Sequence, residues 1–176
     1  GIVVNIEKSD WKEYEKHGPL AAMHFQSAIE QKAFTTGGGN FKAPAQRMTD
    51  FVNNKISASL PACSYVPGLS SAAVAEVFPA LLARTLQKGF TEFGKKMKGY
   101  YTQEALIVAT ESRTSSPVRI PRDIESLAHP QLKNLFPCGE GAGYAGGIMS
   151  AAMDGERVAD RIAGIFSLNQ PLHVNA

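Results

Sequence analysis

A carboxylate set among glycines is the first chemistry this 176-residue chain offers. Gly139 and Glu140 follow an apolar run, and Gly141, Gly143, Gly146, Gly147 and Ile148 lead into a stretch rich in alanine and glycine. A glycine turn that opens a helix presents unpartnered backbone N–H groups and the positive end of the helix dipole, which suits a phosphate or an electron-rich carbonyl edge. Gly141, Gly143 and Gly146 satisfy the G-x-G-x-x-G pattern of dinucleotide sites. A complete unit of that kind needs a second strand ending in an acid about 20 residues later. Residues 164–176 contain neither.

A second polar set, Arg113, Thr114 and Ser115, followed by Ser116, comes just after another apolar run. Its guanidinium can offset negative charge on a ligand, or pair with Glu111. Arg119 and Arg122 are weaker candidates and read as surface residues. The histidines, His17, His24, His129 and His173, are scattered without metal-ligand spacing, so no metal site is expected. No catalytic residue is nominated.

The stretch from Cys138 to Gly155 resembles the end of the uncharacterised FAD-dependent dehydrogenases, within the two-dinucleotide-fold flavoproteins. Residues 111–119 and 37–46 resemble the same family. The resemblance implies that Gly139 and Glu140 close an FAD site, with the acid on a ribityl hydroxyl and Gly146, Gly147 and Ile148 at a helix start facing the cofactor. Arg113, Thr114 and Ser115 are its remaining implied cofactor contacts. No strand and G-x-G-x-x-G turn for the ADP half of FAD is found in the chain, which is therefore expected to be a C-terminal fragment. The missing N-terminal FAD-binding segment is then its natural partner. Alone it is expected to bind FAD weakly or not at all.

These residues need elements to hold them. Residues 2–6 read as a strand, and residues 7–17 as a charged stretch closed by Gly18 and Pro19. A helix from Leu20 is expected to turn Leu20, Met23, Ala28, Ile29 and Phe34 to one side, before the triplet Gly37, Gly38 and Gly39 caps it. Residues 45–53 read as a second helix with Met48, Phe51 and Val52 inward. After a loop over residues 57–71, with Ser70 or Ser71 as a cap, Pro79 opens a helix to about Lys98, carrying Leu82, Leu86, Phe90, Phe93 and Met97 on one face. Residues 104–110 read as a strand covered on both faces. Residues 117–121 and 134–138 read as further strands. The last helix carries a stripe of Ile148, Ala151, Ala152, Gly155, Val158, Ala159, Ile162, Ala163 and Phe166. Its opposite face, Asp154, Glu156, Arg157, Asp160 and Arg161, reads as solvated.

Composition bounds the rest. With 44% hydrophobic and 19% charged residues the chain is a folded globular one, and a net charge of +2 gives no electrostatic reason to expect nucleic acid or an anionic membrane as partner. Cys63 and Cys138 lack C-x-x-C spacing; Cys138 reads as a packing residue and a cytoplasmic, reducing location is expected. The fold class expected is α/β: a partial FAD-binding sheet with a C-terminal helix over residues 104–176, plus a helical, substrate-related segment over residues 1–103. The function expected is that of an FAD-dependent oxidoreductase fragment with an unknown small-molecule substrate. The alternative is a non-catalytic α/β module that binds a small anion or nucleotide at the glycine-rich helix start.

Overall fold

In a computed structural model the described residues are 1–168. His173 and most of the tail read above as lacking a strand lie outside them. The chain is mixed α/β and divides into two compact units, Gly1–Ser112 and Arg113–Ala176.

The first unit is organised by a three-stranded sheet of order β2-β1-β3. β1 (Ala43–Arg47) lies in the middle, parallel to β2 (Leu69–Ser71) and antiparallel to β3 (Leu106–Val108). Ala45 stands opposite Val108, and the ladder to β3 stops there. Pro44, next in line, accepts a bond from the Ala109 N–H but has no N–H of its own to return. Instead of a strand covered on both faces, β3 is an edge with Val108 42% exposed. Its pairing to β1 places it in the first unit, which ends at Ser112.

β1 leads directly into α2 (Met48–Val52), so the segment read as one helix is a strand followed by one short turn of helix. Met48 and Phe51 do point inward, where Phe51 meets Phe90 edge-on at 5.8 Å between ring centroids. Phe90 comes from α3 (Ala80–Lys96), which begins just after Pro79 and buries Leu82, Ala83 and Phe90 on one face. Val74 and Ala109 complete this core, with Leu86 and Ile107 packed against it. One polar side chain is enclosed beside them: the Gln46 amide donates to the Lys55 carbonyl at 2.9 Å and accepts from the Val74 N–H at 2.7 Å. Both ends of the amide are thereby satisfied, which removes the penalty of burying it.

α1 (Ala21–Thr36) buries Ala21, Phe25 and Ala33, while Leu20, Met23 and Phe34 stay exposed, so its packed face is not the one expected. The charged stretch forms a 3-10 segment, Lys8–Leu20, that lies against α1, and Tyr14 meets Phe25 edge-on at 5.8 Å. This segment is broken at Trp11 and again at Gly18, whose φ of 55° is open to glycine. Residues 2–6 form no strand.

In the second unit the one regular element among the described residues is α4 (Ile148–Leu168). Residues 117–121 and 134–138 are not strands; isolated backbone bonds hold them, Ile120 N–H to Ala142 O at 3.1 Å and His129 N–H to Leu135 O at 2.8 Å. Their prolines remove the donors a ladder would need. The apolar stripe of α4 is largely uncovered, with Val158 4% exposed but Ile148 90% and Phe166 69%. No helix of the described residues is long and apolar enough to cross a membrane.

Candidate functional site

The glycine turn is held from below by a buried ion pair that the sequence reading placed on the surface. Asp154, in the second turn of α4, receives two bonds from the Arg122 guanidinium, at 2.6 and 2.9 Å. The two side chains are only 7% and 10% exposed. Arg122 also donates to the Pro137 carbonyl at 2.8 Å, and Asp154 Oδ2 accepts the Gly139 N–H at 2.9 Å. One carboxylate and one guanidinium thus tie the chain entering the turn to the helix leaving it. The Arg122 hydrogen bonds hold the Asp154 carboxyl below its usual range against the opposing effect of burial, and the same bonds raise Arg122. The spacing of Asp154 from Gly139 was visible in the sequence, but nothing there distinguishes it from the charged neighbours on α4.

Within the turn, Gly143 N–H donates to Glu140 O at 2.9 Å and Tyr144 N–H to Gly139 O at 3.0 Å. Two of its glycines are required by geometry. Gly139 has φ of 70°, and Gly143, with φ of 83°, lies where a Cβ would come within 2.7 Å of the Val118 carbonyl oxygen. The Ser116 hydroxyl shares its one hydrogen between Val118 O at 2.8 Å and Gly141 O at 3.1 Å, fastening the preceding segment to the turn. Tyr144 donates its hydroxyl to Ile120 O at 2.8 Å. Over its ring stand the guanidinium carbons of Arg122, at 3.6 Å, and Arg119, at 4.4 Å.

The expected site residues divide into three groups. Gly139 and Glu140 sit half-buried in the pinned turn. The Glu140 carboxylate has no hydrogen-bond partner among the described residues, and it lines neither the open cavity beside Arg119, Arg122 and Arg157 nor the one beside Lys12 and Lys32. Gly146, Gly147 and Ile148 are exposed at the start of α4, with nothing within 4 Å of a Cβ built at Gly146. The Ser150 hydroxyl caps this end, accepting the Gly147 N–H at 3.1 Å, so that donor is already engaged. The next N–H groups of the first turn have no partner within the helix. Arg113, Thr114 and Ser115 are exposed at the beginning of the second unit, and the hydroxyl that reaches the glycine turn is that of their neighbour Ser116. Cys138 and Cys63 are free and exposed, so the packing role expected of Cys138 is not the one it has. Among the described residues no cluster of metal-ligating side chains occurs.

A mixed α/β chain with a pinned glycine turn is the class these observations define. Residues 1–114 match the family described as FAD-dependent protein, C-terminal domain-like, and the chain belongs to that family. The match spans the first unit and ends before the glycine turn. A relative from Clostridium beijerinckii, named only as an uncharacterized protein, is 41% identical over 169 residues. That similarity covers 95% of this chain but 31% of the relative, so the chain spans about a third of the relative's length.

Proposed function

We propose that this chain forms the ribityl and isoalloxazine side of the FAD site in a longer FAD-dependent dehydrogenase, with a cytoplasmic location. Membership of an FAD-dependent family supports the cofactor. One observation carries the placement: behind a turn fixed by Arg122 and Asp154, the helix start at Gly146 is open, and the Ile148 side chain, 90% exposed, leaves it so. Exposed N–H groups at a helix start fit the carbonyl edge of a flavin ring, and an unpartnered Glu140 carboxylate fits a polyol hydroxyl. Flavin, when bound, supplies the redox chemistry. The protein's part is to fix Gly139, present Glu140, and keep the α4 amides free. In this reading residues 1–112 serve the substrate side, and the partner of residues 113–176 is the segment that binds the ADP half.

The test is flavin content, read from visible absorbance, in the longer protein and in its Glu140→Ala and Gly146→Val variants. Near-stoichiometric FAD in the parent, lowered about tenfold or more by Gly146→Val, is expected, because a side chain there fills the space over the helix start. A colourless parent, or variants that keep full flavin, would sink the reading. So would stoichiometric FAD on the 176-residue chain alone.

A further inference from the structure

One cavity wall in the second unit carries an excess of cations that this reading does not use. Arg119, Arg122 and Arg157 line one open cavity of about 590 Å³, together with Tyr144, Ile124 and Leu127. Arg122 is committed to Asp154. Among the described residues Arg157 donates to the Ile124 carbonyl, at 3.4 Å, and Arg119 lies over the face of Tyr144. Among the described residues no carboxylate stands within 4 Å of either. Three guanidiniums against one paired carboxylate leave two positive charges on the cavity wall.

Asp123 is turned onto its own turn, where it accepts the Glu125 N–H, the Ser126 N–H and the Ser126 hydroxyl at 3.1, 2.7 and 2.9 Å. The cavity of about 780 Å³ in the first unit shows the contrast, because its lysines, Lys12 and Lys32, are matched by Asp10 and Glu13. Like charges gathered on one wall repel unless an anion joins them. Guanidinium forks match the oxygens of a phosphoryl group, and the apolar wall of Ile124, 79% exposed, and Leu127 suits an uncharged ligand body.

We propose that this cavity binds a small ligand bearing a phosphoryl group, with Arg119 and Arg157 as its anion contacts and Arg122 as a cation fixed behind them. The assignment is independent of where flavin binds. A nucleotide phosphate and a free inorganic phosphate share the chemistry, and the test separates them. Pyrophosphate is titrated into the 176-residue chain while the arginine Nε–Hε resonances are followed by NMR. Saturable shifts at Arg119 and Arg157 are expected, with affinity falling about tenfold or more in R119A/R157A and falling further with salt. If that variant does not fold, R119Q alone is expected to weaken binding about threefold. Tighter binding of AMP than of pyrophosphate identifies a nucleotide as the source, and the reverse identifies a free phosphate; both support the site. Shifts that never saturate, affinity unchanged in the arginine variants, or succinate bound as tightly as pyrophosphate would each overturn it. Flavin content of the longer protein is expected to be the same with and without R119A/R157A, which keeps failure of this proposal distinct from failure of the flavin reading.

Discussion

The two units are held together by different physics. In Gly1–Ser112 the sheet and α3 enclose Phe51 and Val74, both 0% exposed, beside Phe90 at 5%. In Arg113–Ala176 the buried apolar residues among those described are few, Leu127, Pro137, Ala142 and Val158, and the fold of the turn depends on one ion pair and a handful of backbone bonds. A hydrophobic core is non-directional and tolerant, whereas a buried pair fixes a geometry and fails when one partner is removed. The second unit is thus specified by Arg122 and Asp154 in the way the first is specified by its phenylalanines.

Substitutions can break that contrast, in descending order of effect. Phe51→Ala is expected to cost about 3–5 kcal/mol and to unfold the first unit at lower denaturant. Fluorescence of Trp11, the chain's one tryptophan, measures it. Arg122→Ala should cost about 3 kcal/mol in the second unit, because it strands the Asp154 carboxylate, and should speed hydrogen exchange at Gly139. The paired change R122M/D154L should cost less than Arg122→Ala; an equal or greater cost would show that the geometry of Gly139, and not the stranded charge, dominates.

Acid gives a smaller effect with a definite sign. Asp154 is held below its ordinary value, chiefly by the Arg122 hydrogen bonds, so its contribution is complete above the ordinary carboxylate value and is lost as pH falls through the lower folded value. An acid titration of Gly139 amide exchange should show this loss in the wild-type chain and not in D154N. Last, Gly143→Ala should cost about 1–3 kcal/mol, from a positive φ and from the approach to Val118 O, and thermal unfolding of the second unit reads it.

The α/β class, α3 from Pro79 and the inward Met48 and Phe51 were legible from the sequence, because apolar spacing and a proline start leave a strong local signal. β1 was not. Its sequence of Ala43, Pro44, Ala45, Gln46 and Arg47 has no β-branched residue, and only tertiary partners make it the centre of a sheet. The strands expected near 119 and 136 failed for the opposite reason: apolar runs suggested pairing where no ladder partner exists among the described residues. At the glycine turn the sequence offered Gly139 and Glu140 as candidates but gave no sign of the Arg122–Asp154 pair beneath them, since a salt bridge across 32 positions leaves no periodicity to read.

Along α4, Met149 and Met153 are 73% and 65% exposed, while Met48 in the first unit is 5% exposed. Thioether oxidation follows access, so mild peroxide should convert the helical pair to sulfoxide early and spare Met48. The chain thereby contains its own footprinting reagent: in a longer protein, any segment laid over that side of the helix would register as slowed oxidation at two known positions, with Met48 as the internal reference.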